Sequence, residues 1–461
     1  MEPVATTHPR ICLRLLALLV LAGAVSRASG ITAARKTPSP VTALNENLDT
    51  RASPAIVLDM GDGVSIVGVV GKSEAKTVFP SVVGLGGEKG GVVAVGQEAL
   101  DKAKELKLVY PIKDHAVVDW DLWTVLVQHG CDLLRVAPEE HSMLVTDTPP
   151  FASNESRGEM AEIVLKRLNA PTFFVASRAT LALIHSSESV GIRHGDYLLT
   201  DQTAEVLVAD ENGIVVTPIV KGKTVPEGVL KTDIRESDIT NLMLTYLEQD
   251  GVAQFDATPQ EEKKVALDIE EKLGYVALDY EDELEKKGSV KVDYELPDGN
   301  VIHVGSERFR APEALFKPNL LGKESSEALN GQQLDGIQPR ALNGGQLDGI
   351  HKLTYESIMK CDVDIRRDLY RNVQMSGGTV MFKGIDDRVS RELETLLIQG
   401  DHEDVDRDSI GVKIVTSPES RDTVFIGGSI LSSLSTFEEM WIKKDEYDQA
   451  GPSIVFKKCI M

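Results

Sequence analysis

Residues 56–71 read IVLDMGDGVSIVGVVG. Three apolar residues, Ile56, Val57 and Leu58, lead to Asp59. Then come Gly61 and Gly63, and then a second apolar run interrupted by Gly68 and Gly71. Apolar runs of this length on both sides of a glycine-bearing turn predict a buried β-hairpin. Gly61 and Gly63 permit a tight turn that leaves backbone N–H groups pointing outward, a geometry that cradles a phosphate. Asp59 beside such a turn could hold Mg²⁺ through water. A hairpin whose glycines serve only the turn has the same pattern, so both readings stay open on these residues alone.

The rest of the 461-residue chain narrows the class of protein. With 49 Lys and Arg against 72 Asp and Glu, the formal net charge of −23 opposes nonspecific binding to nucleic acid or anionic membranes. A hydrophobic content of 42% supports two or three domains with sizeable cores. Cys12, Cys131, Cys361 and Cys459 are far apart, without zinc or redox spacing, so buried free thiols are expected. The nine histidines are scattered, and His141 in PEEHS reads as a packed or capping residue. Near the start, RICLRLLALLVLAGAVSRASG places Arg10 and Arg14 before an apolar run and small residues after it. Residues 1–28 therefore have the layout of a signal or targeting segment, too short for a membrane span, and 29–54 read as a disordered linker.

Along the body, strand-like and helical segments alternate, which predicts an α/β chain with mixed sheets. SIVGVV, GVVAVG, HSMLVTDTPP and TFFVAS read as strands, and DYLLTDQTAEVLVADENGIVVTPIVKG as antiparallel strands with DENG as a turn. EALDKAKELKLV, WDLWTVLVQHGCDLL, RGEMAEIVLKRLNAP and EEKKVALDIEEKLGYVAL read as helices. ALNGQQLDGI (328–337) recurs as ALNGGQLDGI (341–350), too few copies for a solenoid and suited to a surface loop. QGDHEDVDRDS (399–409) lacks the glycine and terminal glutamate of an EF-hand loop and reads as a solvated acidic loop.

Several stretches share one family signature: LRVAPEEH (134–141), ELPDGNVI (295–302), ERFRAPEALF (307–316), SIMKCDVDIRRDLY (357–370), MSGGTVMFKGI (375–385) and FIGGSILSSLSTFEEMWIKKDEYDQAGPSIV (425–455). They resemble actin, in order, from about residue 55 to the end, and more closely in the C-terminal half. The resemblance implies an α/β, actin-like two-domain fold. Each domain would be a mixed sheet flanked by helices, with a nucleotide cleft between them. The first domain is expected over 55–190 and 425–461. The second is expected over 191–424, with insertions at 328–350 and 399–409. The resemblance also implies ATP or ADP with Mg or Ca. Asp59, Gly61 and Gly63 would form the first phosphate loop. Gly377, Gly378 and Thr379 would approach the ribose and phosphates, with Met381 and Phe382 beside the base. Glu271 would lie near the adenosine, Arg421 would stand where actin has a lysine at the base, and Asp59 and Asp201 would hold the metal.

Four departures bear on chemistry. Asp62 stands for a serine of the phosphate loop and Ile66 for its lysine, which adds an anion and removes a cation beside the phosphates. The second phosphate loop is matched by either TDQTAEV or ADENGIV, neither with actin's glycines. Arg178 in VASRATL replaces the glutamine that positions the attacking water, and arginine cannot accept a hydrogen bond from water. DIRESDIT lacks the Gly-Arg of the family's AGRDLT. Weak or lost hydrolysis is therefore expected, with no catalytic residue assigned. The Gly-rich stub LGGEKGGVVAVG replaces a longer filament-contact loop, and the duplicated segment interrupts another, which argues against a repeating interface. Expected partners are proteins (actin, actin-binding proteins or copies of itself), with no specific nucleic acid and no membrane span. The expected location is cytoplasmic and cytoskeletal, or a secretory or organellar route if the leader is used. An active polymerising ATPase is the alternative. Nothing supports a sugar pocket, a peptide-binding domain or a Ser/His/Asp or Cys/His centre.

Overall fold

The computed structural model describes residues 53–71, 76–87, 90–149, 152–189, 203–210, 213–253, 258–286, 291–322, 348–400, 411–416 and 421–459. All lie in the compact unit Pro40–Met461. The leader, Cys12, Asp201, most of the duplicated segment and nearly all of the acidic loop lie outside the described residues.

The opening stretch is a hairpin. β1 (Ile56–Met60) pairs antiparallel with β2 (Val64–Val69) in the register Asp59↔Ile66 and Met60↔Ser65. Every residue of β1 is buried, as expected for a strand covered on both faces. β3 (Lys76–Pro80) extends the hairpin on one side. β9 (Met143–Asp147) runs parallel to β1 on the other, followed by β10 (Thr172–Ser177) and β19 (Ile442–Lys443). Three smaller pieces lie between: β4 (Val83–Gly86), β5 (Gly91–Val95) and β6 (Lys107–Val109) form one sheet, and β7 (Ile112–Lys113) pairs with β8 (Ala116–Val117).

A second sheet repeats the plan of the first. β11 (Ala204–Asp210) pairs antiparallel with β12 (Gly213–Val220) and parallel with β17 (Val373–Ser376), which pairs parallel with β18 (Ile414–Thr416). β13 (Lys223–Thr224) and β14 (Leu230–Thr232) pair with β12. β15 (Val292–Glu295) and β16 (Val301–Val304) form a separate hairpin. Each large sheet thus has an antiparallel hairpin followed by parallel strands. This is the expected pair of mixed sheets, each with its own apolar core.

Helices cover the sheets where apolar periodicity places them. Trp120–Leu134 begins at Asp119, whose carboxylate accepts the Leu122 N–H at 3.0 Å, and it buries Trp123, Leu126, Val127 and Cys131 at helical spacing. The helix Arg178–Ser189 leaves the first sheet at β10 and contributes Ala179, Leu181, Ala182 and Leu183 to its core. That same core takes in Ala204 and Val206 from the second sheet. The helix Thr423–Ser433 packs against it so closely that a Cβ on Gly427 would lie 1.9 Å from the Leu181 carbonyl oxygen. The glycine permits that approach.

Three helix expectations are corrected at their ends. EALDKAKELKLV is helical only over Gln97–Asp101, and Lys107–Val109 joins β4 instead; Ala99 is the only residue of that helix that is buried. RGEMAEIVLKRLNAP is α-helical over Asn154–Glu162 and continues as a π-helical turn, Ile163–Arg167, before Asn169 adopts φ 59°. The helix Pro259–Leu273 stops before Gly274, and Tyr275 then bridges to Lys383.

Cys131, Cys361 and Cys459 are buried free thiols, each pushed up to about 12 by burial. His141 is buried with its Nδ1 2.7 Å from the Pro54 carbonyl oxygen, the expected capping role.

Candidate nucleotide cleft

Two groups of loops that leave the sheets carry the expected site residues, and the two are unlike. The first is built around β17. Gly377, with φ 105°, ends that strand with its α-carbon against β11, where a Cβ would lie 1.9 Å from the Ala209 carbonyl oxygen. The turn Gly378–Val380 then brings Met381 and Phe382 toward the end of the helix Pro259–Leu273, which supplies Glu270 and Glu271. These residues, with Tyr275, Leu278, Arg308 and Arg421, line a cavity of about 900 Å³. Its lining includes two large apolar side chains left open to solvent, Met381 at 47% and Leu278 at 52% exposure.

The charges in this half are arranged around Arg421. Its Nη2 lies 2.8 Å from Glu236 Oε1 and 2.6 Å from Glu271 Oε1. The Arg421–Glu236 pair lies over Gly378, where a Cβ would be 2.7 Å from Glu236 Oε1 and 3.0 Å from Arg421 Nε. Glu270, one step along the helix from Glu271, is buried instead and accepts a hydrogen bond from Thr240 Oγ1 at 2.9 Å. Burial pushes its carboxyl up to about 8, and the nearby Glu236 and Glu271 act in the same direction while Thr240 and Arg421 oppose it. Burial thus favours the neutral form of the Glu270 carboxyl.

The second half is built around the β1–β2 turn. Asp59 is buried, accepts a hydrogen bond from Thr146 Oγ1 at 2.7 Å and lies 3.2 Å from Arg178 Nε. Across the hairpin its partner is Ile66, so the cation beside Asp59 comes from the helix Arg178–Ser189 and not from the neighbouring strand. The Gly61 N–H is used within the turn, donating to the Val64 carbonyl at 3.1 Å, so it does not point outward as the sequence suggested. The Gly63 carbonyl accepts the Ser81 N–H. The Asp62 carboxylate receives the backbone N–H of His115, in the β7–β8 turn, at 3.2 Å to each oxygen. The spaces left beside Arg178 are cavities of about 10 and 20 Å³. Each is on the scale of one water molecule.

A family model described as Actin matches residues 50–460. The chain belongs to the actin family. Its two similar mixed sheets accord with that membership.

Within this actin-family frame the expected site residues separate. Glu271, Gly378, Met381, Phe382 and Arg421 come together around the large cavity. Gly377 and Thr379 support it from below: Gly377 packs on β11 and Thr379 is buried in the turn. Asp59, Gly61 and Gly63 sit in the other half, with their polar groups engaged by the protein itself. β11 ends and β12 begins within ADENGIV, with Asp210 opposite Gly213. Asp201 lies outside the described residues.

An adenine nucleotide with its metal therefore meets a split site. The base half fits: it is roomy, apolar in part and polar where a purine edge needs partners. The phosphate half does not. The carboxylate expected to hold the metal is neutralised by Arg178, the Gly61 N–H is spent within the turn, and Asp62 adds an anion where an anionic ligand would go.

Two contributors were not singled out from sequence. Glu236 lies in DIRESDIT, a segment notable there only for lacking Gly-Arg, and Glu270 is adjacent to the residue that was chosen. Helical geometry turns neighbouring side chains about 100° apart, which puts Glu270 inside and Glu271 at the rim.

Proposed function

We propose that this chain is a structural subunit of the actin family that acts through protein contacts and hydrolyses ATP weakly or not at all. The buried Arg178–Asp59 pair carries this reading. Phosphoryl transfer to water rests on placing the metal, the phosphates and the attacking water. Here the residue replacing the water-orienting glutamine is a cation directed at the metal-site carboxylate, so one substitution removes two of those placements. What remains of nucleotide recognition is the base half, through Glu271, Gly378, Met381, Phe382 and Arg421.

Partners fitting this role are proteins: actin, actin-binding proteins or further copies of the chain, in a cytoplasmic, cytoskeletal setting. Among the described residues no helix is long and apolar enough to cross a membrane. β4 ends at Gly86 and β5 begins at Gly91, so only four residues join them, too few for an extended arm to a neighbouring subunit.

Phosphate release from Mg-ATP by the purified full-length chain, with sedimentation over a range of salt, tests the proposal. No release above buffer and no pelleted polymer are expected. Sustained Mg-dependent turnover would overturn the loss of hydrolysis, and ATP-dependent pelleting would favour the polymerising alternative.

A further inference from the structure

Glu205 stands near the start of β11 and is wholly buried. Its register partners are Pro218 on β12 and Val373 on β17. Ala204, Val206 and Val208 join the core that holds the helix Arg178–Ser189, whereas Leu207 and Ala209 join the core that holds the helix Ile350–Met359. Strand alternation therefore points Glu205 toward the second of these helices. There Ser357 Oγ lies 2.5 Å from Glu205 Oε1 and 2.7 Å from the Gly228 carbonyl oxygen, in the turn Pro226–Gly228.

A serine hydroxyl carries one proton, and here it faces two acceptors. Protonation of Glu205 supplies the missing donor: its O–H donates to Ser357, and Ser357 donates to Gly228. We propose that this chain of bonds is a proton-held latch, which fastens the helix Ile350–Met359 and the Gly228 turn to β11 and loosens as pH rises through neutrality. Its residues are none of those assigned to the nucleotide, so it stands whether or not ATP is bound or cleaved.

The surroundings favour the neutral acid. Burial pushes the Glu205 carboxyl up to about 8, and the Ser357 hydrogen bond opposes it. Glu205 Oε2 has no hydrogen-bond partner among the described residues, which costs an anion far more than a neutral acid. Pro218 and Val373 bring no charge. Cys361 Sγ donates to the Ser357 carbonyl at 3.6 Å; burial pushes this thiol up to about 12, helped by Glu205 and Glu227 and opposed by Arg366. Arg366, on the helix Val363–Tyr370, donates to the Cys361 and Met359 carbonyls, and Tyr370 shares the apolar cluster of Cys361. On the helix Ile350–Met359, Glu356 is turned about 100° from Ser357. His351 stacks on Phe316, and Lys352 is exposed, as is Lys360 just beyond the helix. The turn is tightly packed: a Cβ on Gly228 would lie 2.4 Å from Pro218 Cγ and 3.2 Å from Cys361 Sγ.

Opening the latch returns the Glu205 carboxyl to its ordinary 4.5. Below pH 4.5 open and closed forms both hold the proton. Between 4.5 and about 8 only the closed form does, so opening becomes easier by up to about tenfold per pH unit. Above 8 both forms have lost it and the dependence ends.

The test is pulsed alkylation of the full-length chain with iodoacetamide from about pH 6 to 9.5, read by peptide mass at Cys361, Cys131 and Cys459. Each rate is divided by that of the same cysteine in Glu205→Gln, whose carboxamide donates to Ser357 at every pH, so thiol ionisation cancels. At Cys361 the ratio should climb by about tenfold or more between pH 6 and 8 and level off above 8. At Cys131 and Cys459 it should not change with pH. Should Glu205→Gln fail to fold, the parent chain unfolded in urea gives the reference rates. Ser357→Ala should raise Cys361 labelling about tenfold already at pH 6, since the middle of the chain is gone. A flat ratio at Cys361 would overturn the latch. So would a climb shared by all three cysteines, which would place the effect in the whole fold, or a Ser357→Ala rate equal to the parent's.

Discussion

In the phosphate half of the cleft, Arg178 lies 3.2 Å from Asp59, with 14% and 4% of the two side chains exposed. In the base half, Arg421 lies 2.6 Å from Glu271, with 46% of each exposed. Both are arginine–carboxylate pairs among the residues proposed to border the cleft. The first replaces groups that would have come from a ligand, and it is sealed from water. The second sits at a mouth that still opens to solvent. A charge pair of one chemical type can therefore close a site or border it, and burial decides which.

The largest expected effect comes from breaking the buried pair. Asp59→Ala would leave Arg178 desolvated with its ion-pair partner removed and should cost about 3–5 kcal/mol in denaturant unfolding. The double change Asp59→Leu with Arg178→Met should recover most of that loss, since the charges are removed together. If Asp59→Ala costs no more than a surface substitution, the phosphate half is not sealed as described.

A second contrast lies between neighbouring glycines. Gly377 has φ 105° and its absent Cβ would collide with the Ala209 carbonyl, part of a fixed strand. Gly377→Ala should cost roughly 2–4 kcal/mol, since backbone strain and overpacking act together. Gly378 has no such conformation, and its absent Cβ would meet the ends of Glu236 and Arg421, which can move. Gly378→Ala should cost under about 1 kcal/mol in stability. Equal losses at both positions would mean that the Arg421–Glu236 cover is rigid.

How much of this was legible in the sequence follows the range of the interactions involved. The β1–β2 hairpin and the helix Trp120–Leu134 are local patterns, and both formed where periodicity put them. The two-sheet architecture came through long in-order motifs resembling actin, and the family match over residues 50–460 agrees. Arg178 was recognisable as a misplaced residue, yet its attachment to Asp59 depends on β10 and β1 flanking β9, which no local pattern states. The helix in EALDKAKELKLV was overextended because charge spacing is satisfied equally by an exposed loop, and only Ala99 and the partly buried Leu100 anchor it. Glu270 was passed over because burial, not residue type, distinguishes it from Glu271.

Glu270 makes the base half sensitive to pH. Its folded-state value of about 8 lies above its ordinary 4.5. Below pH 4.5 both folded and unfolded chains hold the proton, and its contribution is fully present. As pH rises toward 8 the unfolded chain releases the proton while the folded chain keeps it, so stability falls, by at most about 1.4 kcal/mol per pH unit. Glu205, buried on β11 of the second sheet and hydrogen-bonded to Ser357, is also pushed up to about 8 and acts with the same sign. Glu270→Gln should therefore gain stability relative to the unaltered chain between pH 4.5 and 8, with no further gain above it. A difference between variant and parent that is independent of pH would place Glu270 in contact with water.

The smallest expected effect is at Arg421. It is half exposed and its carboxylate partners are open to solvent, so Arg421→Ala should change stability by only about 0.2–1 kcal/mol. Its removal would uncover Gly378, but Arg178 would still occupy Asp59 and Asp62 would still occupy the His115 N–H. Arg421→Ala alone should thus leave Mg-ATP affinity unchanged. Combining it with Arg178→Gln should raise Mg-ATP affinity more than either change separately, because the two arginines block successive stretches of one path. Additive gains from the single changes would show that they act on separate sites, and the cleft would then have no shared route from base to phosphate.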